Sequence, residues 1–201
     1  MTVRRQARGE RRMAELQDAA AAVFAEVGYE AATTNAIAAR AGVSPGTLYQ
    51  FYGNKEAIAQ ALADRYLEAL REAHASLTPE HADLPLDELI DRMADPMVAV
   101  NVANPGFKAL FGRPDMPEKL VIPTRNVHAA VFGRLDAVFA ARCPDLDPVQ
   151  RGRTVMVTMQ LFGGLIPMIV AAAPEERPAL VVELKKVLRG YLAPVLGEGS
   201  S

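Results

Sequence analysis

A lysine in the first turn of a helix stands where a cation is least welcome, and the segment NKEAI at residues 54–58 puts one there. Asn54 is a residue type that caps helix N-termini, so Lys55 falls beside the positive end of a helix dipole. An anion at that point would satisfy the ammonium, the dipole and the open first-turn N–H groups together, which is the chemistry of holding a phosphate oxygen. The alternative is a solvated lysine offset by Glu56. Twenty residues upstream, Thr33, Thr34 and Asn35 offer hydroxyl and amide groups, and Thr47, Tyr49 and Gln50 offer more just before Asn54.

Catalytic chemistry finds no comparable footing. The three histidines, His74, His81 and His128, lack metal-ligand spacing. Ser44, Ser76, Ser200 and Ser201 are the serines, and none sits in a Gly-x-Ser-x-Gly elbow. Cys143, the single cysteine, lies between Arg142 and Pro144 in a turn; alone it forms neither an intrachain disulfide nor a multi-cysteine zinc site, and its solitude fits a reducing cytoplasm. No metal, cofactor or enzymatic activity is expected. A net charge of −2 with 23% charged residues announces no global attraction to nucleic acid or membrane, so any basic surface must be local. One local candidate is the N-terminus, where Arg4, Arg5, Arg8, Arg11 and Arg12 are opposed by Glu10 alone. That stretch has no apolar core of the length a signal peptide needs, and export is not expected.

The elements that would position Lys55 are short. In TTNAIAARAGVSPGTLYQFYGNKEAI, residues 33–58, Thr33 or Thr34 can cap a first helix, with Ile37 and Ala41 pointing inward and Ala38 small enough for a close crossing. Gly42 sits where the chain must reverse within three residues, a place that favours positive φ. Ser44 followed by Pro45 is an N-cap and first-position pair for a second helix. Leu48 returns to the core, leaving Gly46, Thr47, Tyr49 and Gln50 outward. Upstream, Met13, Leu16, Ala20, Val23, Phe24 and Val27 line one helix face that Gly28 is placed to end. Downstream, Ile58, Leu62, Tyr66 and Leu70 line a longer helix running to about His74.

This pattern resembles the DNA-binding domain of the tetracycline-repressor (TetR) family from about Arg11 to Arg71. The resemblance is carried by Ala19–Ala20, Phe24, Gly28–Tyr29, Thr33, Ile37–Ala38, Ala41–Gly42–Val43–Ser44, Gly46, Leu48–Tyr49 and Asn54–Lys55–Glu56. Phe51–Tyr52 departs from the family's usual His or Tyr followed by Phe, so the Tyr52 hydroxyl needs a partner if buried. The resemblance implies a helix-turn-helix over residues 34–51, widened to Thr33–Lys55 by phosphate contacts from Thr33, Tyr49 and Lys55, with Asn35, Thr47 and Gln50 facing base edges. Asn and Gln can pair bidentately with adenine, and a threonine methyl can rest on thymine. Residues 45–51 carry no charge, so affinity must come from elsewhere. Arg4, Arg5 and Arg8 in a flexible basic arm over residues 1–10 are candidates, a solvated tail being the alternative.

The chain as a whole reads as all-α. The N-terminal three-helix domain occupies 1–76, TPEHADLP marks a linker at 77–85, a helical ligand-binding and dimerisation bundle fills 86–196, and 197–201 form a disordered tail. Helices are expected at about 86–103, 117–142, 147–172 and 175–195, with a short one near 105–111. A small helix-turn-helix needs two copies on a palindrome, so a homodimer is expected. The apolar helices at 147–172 and 175–195, with Val155, Met159, Leu161, Phe162 and Leu165 on one and Leu180, Val181, Leu184, Leu188 and Leu192 on the other, would form it, as in the family; the alternative, compatible with it, is that one face of each is core of its own chain. Val155–Ala173 is apolar enough to be weighed as a membrane span, but Gly163–Gly164 and Pro167 interrupt it, and burial in a core or interface is the reading adopted.

The resemblance also implies a small-molecule pocket whose occupant releases DNA. Candidate lining residues are Met93, Met97, Phe107, Phe111, Phe132, Met156 and Phe162, with Asn101, Asn126, His128 and Gln160 as polar anchors. This inventory favours a mostly apolar effector and a repressor freed from its double-stranded operator by it. The competing possibility is a helical small-molecule-binding or catalytic protein whose DNA reader is vestigial.

Overall fold

The computed structural model describes residues 2–104 and 118–198, with side chains from 7 to 104 and from 125 to 198. Among these residues every regular element is helical: α1 Thr2–Ala31, α2 Thr34–Arg40, α3 Pro45–Tyr49, α4 Lys55–Ala75, a 3-10 turn at Pro79–His81, α5 Leu86–Ala103, α6 Glu118–Arg142, α7 Pro148–Ala171 and α8 Arg177–Leu196. The chain divides into two compact units, the first change of unit falling inside α4, between Glu68 and Ala69.

The first unit is built on the apolar stripe of α1. Leu16, Ala20 and Phe24 are fully buried, while Met13 and Val27 at its two ends are exposed. Gly28 adopts φ 77°, which ends the regular helix at the point where a side chain would be strained. Ile37 and Ala38 from α2, Leu48 from α3, and Ile58 and Leu62 from α4 complete one cluster with this stripe. The buried Tyr52 hydroxyl finds its partner in Gln17, whose side-chain amide donates to it at 3.0 Å. The segment expected as a flexible arm is corrected by the structure, since α1 begins at Thr2 and carries residues 2–10 as helix.

In the second unit α5 packs against α7 and α8, which pack against each other. Leu86, Leu89, Ile90 and Met93 on α5 meet a core that includes Val155, Ile166 and Ile169 on α7 and Leu184, Leu188 and Leu192 on α8. Val155, Leu184, Leu188 and Leu192, expected at a dimer interface, are therefore core of their own chain. α6 contributes Val127, Val131, Leu135, Val138 and Phe139, a stripe of helical spacing. Pro96, Pro167 and Pro194 lie inside continuous helices.

Segment 77–85 is fastened rather than free. Leu77 and Ala82 are buried, and the Arg142 guanidinium donates to the carbonyls of Ala82 and Leu84, each at 2.7 Å. The same guanidinium reaches Leu196 at 3.0 Å and Gly197 at 3.1 Å, satisfying the open carbonyl end of α8. Leu86 N–H donates to the Glu198 carbonyl at 2.8 Å, and Arg189 bridges Asp87 to the Glu198 carboxylate. The tail expected to be disordered from 197 is thus held through Glu198; 199–201 lie outside the described residues.

Near the end of α4, His74 donates from Nδ1 to the Leu70 carbonyl at 2.8 Å, and its own carbonyl accepts from Arg134 at 2.7 Å. Burial and then the Arg134 charge lower its pKa below the ordinary 6.5, against the Leu70 bond, which raises it. A histidine kept neutral in the fold favours unfolding once the unfolded chain protonates it. Its contribution is full above about pH 6.5 and is lost as pH falls from there towards the lower native pKa. Lowering pH from about 7.5 to about 5.5 should therefore reduce the melting temperature of the wild type more than that of His74→Gln. Equal slopes would assign the acid sensitivity to other groups.

Candidate nucleic-acid interface

The helix pair α2–α3 is fixed by its caps and by what it buries. Thr33 Oγ1 accepts from Ala36 N–H at 3.1 Å, and Ser44 Oγ accepts from Thr47 N–H at 3.1 Å. Between them Gly42 takes φ 66°, and Val43 N–H returns to the Ala38 carbonyl at 3.0 Å. Pro45 occupies the first turn of α3, where its missing N–H costs nothing. Ile37, Ala38 and Leu48 are all fully buried. These features match the expected turn residue for residue.

The exposed side is polar and uncharged along α3. Asn35 and Gln50 are exposed, and Tyr49 is 52% exposed. Thr47 Oγ1 lies 3.0 Å from Ser44 Oγ, so its hydroxyl is engaged with the cap. The Tyr49 hydroxyl lies 3.0 Å from Thr34 Oγ1, joining the last residue of α3 to the first of α2. Thr33, Asn35, Thr47, Tyr49 and Gln50 thus all belong to, or immediately flank, these two short helices.

Lys55 is placed differently from expectation. Asn54 caps α4 as foreseen, its Oδ1 accepting from Ala57 N–H at 2.8 Å. The Lys55 ammonium, however, turns to the carbonyls of Tyr29 at 2.9 Å and Glu30 at 3.1 Å and lies 4.5 Å from the centre of the Tyr29 ring. The misfit between a cation and the start of a helix is compensated inside the chain, by carbonyls just past the Gly28 bend and by a cation–π contact. Its position alone therefore no longer requires a phosphate. Of the ammonium's three protons these two bonds use two.

The other cations of this unit are partly spoken for. Arg40 pairs with Glu26, Arg65 with Asp18, and Arg11 and Arg12 with Glu15. Arg8 is exposed on α1. The backbone of Arg4 and Arg5 belongs to that helix, and their side chains lie outside the described residues.

The expected ligand pocket is not assembled among the described residues. Met93 is buried, and Met97, Asn101 and Phe162 are half-buried, Asn101 donating to the Met97 carbonyl at 2.8 Å. Asn126, His128, Phe132, Met156 and Gln160 are exposed. The cause is helical phase: on α6 the core stripe runs through 127, 131 and 135, and each neighbouring position is turned about 100° away from it. Met156 stands likewise one step from the buried Val155. Phe107 and Phe111 lie outside the described residues. Buried polar groups that sequence reasoning missed are Thr154 and Thr158, whose hydroxyls donate to the carbonyls four residues before them at 3.0 and 2.8 Å.

The sequence profile of bacterial regulatory proteins of the tetR family matches residues 16–62, and that of the tetracyclin repressor-like C-terminal domain matches residues 85–192. The second alone spans more than half of the chain. The chain belongs to the tetracycline-repressor family. A TetR-family transcriptional regulator from Streptomyces coelicolor is 29% identical and superposes with a TM-score of 0.56 over 92% of this chain and 99% of that one. A TetR-family regulatory protein from Rhodococcus RHA1, 19% identical, shares the fold with a TM-score of 0.67 over 94% and 98%. The A-factor receptor protein of Streptomyces griseus is 39% identical over 87 residues, a match that takes in 43% of this chain and 29% of the receptor. TetR-family proteins are DNA-binding transcriptional regulators, and α2–α3 is the helix-turn-helix of this one.

Because α3 rests on one side-chain cap, Ser44→Ala should cost about 1 kcal/mol of stability in urea unfolding, and Ser44→Gly only a few tenths. Equal losses for both would mean that the cap contributes little.

Proposed function

We propose that this TetR-family chain is a repressor that binds a palindromic operator as a homodimer and is released by a small, mostly apolar effector. The observation that carries the DNA reading is the uncharged face on and beside two capped helices, where Asn35, Tyr49 and Gln50 are exposed and Thr47 is half-buried beside them. Asn35 and Gln50 would address base edges, and Thr47 would add its methyl, its hydroxyl being engaged by Ser44. Thr33, Tyr49 and the remaining Lys55 N–H would hold phosphates, with Arg4, Arg5 and Arg8 extending the contact along the helical start of α1. Such a protein works beside the chromosome, in the cytoplasm.

Support for the dimer lies on α7 and α8. Met156, Val157, Gly163, Gly164 and Met168 are exposed on α7, as are Val182, Val187 and Gly190 on α8. α7 is long and apolar enough to cross a membrane by composition, yet only a third of its most apolar window is buried within the chain. Apolar side chains and glycines exposed together on two packed helices suit a second copy of the same surface. The name of the Streptomyces griseus relative, a receptor, supports a small-molecule effector, whose apolar character is read from the inventory around Met93, Met97 and Phe162.

A gel shift with DNA flanking the coding region tests the first part. Wild type should shift a short fragment of it in preference to random DNA, and Tyr49→Ala should weaken that binding by about tenfold. Gln50→Ala should lower the preference for that fragment over random DNA while leaving binding to random DNA unchanged. If random DNA shifts equally well at physiological salt, specific recognition is lost as a reading. For the dimer, Val157→Glu should convert the particle to a folded monomer in light scattering and weaken operator binding by at least about tenfold. A variant that remains dimeric would move the interface elsewhere.

A further inference from the structure

Two hydroxyls facing each other across the helix-turn-helix have no part in either cap. Thr34 Oγ1 and the Tyr49 hydroxyl lie 3.0 Å apart, while Thr33 and Ser44 supply the side-chain caps of α2 and α3. Each hydroxyl carries one proton and can accept as well as donate. In a bonded pair one proton is used between the partners and one is left to point outward. If Thr34 donates to Tyr49, the phenol keeps its proton for an external acceptor. If Tyr49 donates, the Thr34 proton is the free one. In both cases the pair offers one outward donor, polarised by the bond behind it.

Geometry adds a second effect. Tyr49 ends a five-residue helix and is 52% exposed, so little else around it fixes the ring. Thr34 is half-buried and β-branched, with a stiff χ1, and its helix is anchored by the fully buried Ile37 and Ala38. A rigid hydroxyl on α2 can therefore hold a mobile phenol on α3 before any ligand arrives, reducing the ordering cost of contact.

We propose that Thr34 is a positioning residue for the phosphate contact of Tyr49, the two hydroxyls acting as one oriented donor towards a DNA phosphate. The proposal rests on the operator-binding reading and deepens it. It places in the interface a side chain that neither fills the core nor faces a base.

The test uses full-length protein and a duplex selected from a random pool by the wild type, with affinity measured by fluorescence anisotropy at several salt concentrations. Thr34→Val keeps the shape and branching but removes the hydroxyl, and should weaken binding about fivefold, the worth of one hydrogen bond. Thr34→Ser should restore affinity to within about twofold of wild type. Tyr49→Phe should weaken binding by a similar factor, and Thr34→Val combined with Tyr49→Phe should be no weaker than Tyr49→Phe alone. The slope of affinity against salt should be unchanged in all, because a neutral hydroxyl displaces no counterion. If Thr34→Val binds like the wild type, or if the two losses multiply in the double variant, the positioning role is overturned while operator binding stands. If the wild type selects no sequence, operator binding itself fails and the positioning role falls with it. Should Thr34→Val lower the melting temperature, the same comparison with Thr34→Ala, alone and combined with Tyr49→Phe, decides the matter.

Discussion

Five residues cannot sustain a helix. Forming a first turn fixes several dihedrals for one hydrogen bond, and α3 is too short to recover that cost by propagation. It exists because its surroundings hold it. Ser44 closes one open N–H, Pro45 arrives with its φ already helical, and Leu48 is buried against the α1 stripe. Gly42, at φ 66°, lets the preceding helix end and the chain turn without strain. Whatever surface Thr47, Tyr49 and Gln50 present depends on these few contacts, and so does the distance between Tyr49 and Thr34.

The same economy governs the far end of the second unit. One guanidinium, Arg142, satisfies carbonyls at Ala82, Leu84, Leu196 and Gly197. A helix end and the segment leading into α5 are thereby held by one side chain at the end of α6, and Leu86 and Glu198 add a backbone bond alongside. A proline-rich stretch that composition marks as a linker becomes fixed structure once such a donor reaches it. Arginine suits this role because its several N–H groups spread in a plane and stay charged at every relevant pH.

Local chemistry was legible in the sequence, and contacts between distant residues were not. The caps at Thr33, Ser44 and Asn54, the positive φ of Gly42 and the span of α5 each follow from a few adjacent residues, and each was found where expected. The Lys55 ammonium misled because its compensation comes from Tyr29 and Glu30, more than twenty residues earlier. The bond between Thr34 and Tyr49 was illegible for the same reason, the partners being fifteen positions apart. Helical phase was also illegible: residue type along α6 and α7 carries no information on it, and His128 and Met156 stand exposed one position from the buried Val127 and Val155. Val155 and Leu184 are taken up by the chain's own core, since an apolar stripe on a helix does not say which of two neighbours will cover it.

Phase also separates the two apolar demands on α7. Val155, Ile166 and Ile169 are consumed by the chain's own core, and Met156, Val157 and Met168 remain outside it. A helix serving only an intramolecular core would be expected to show charge on its outer side, as α4 does with Asp64, Glu68 and Arg71. On α7 the outer side instead carries small and apolar residues, with Gln150, Arg153 and Gln160 as the polar interruptions. That arrangement leaves a soluble surface only if something apolar covers it. In the proposed dimer a second copy would do so symmetrically and would supply the second reading head that an uncharged recognition helix needs, because the affinity absent from each half-site can come from binding two at once.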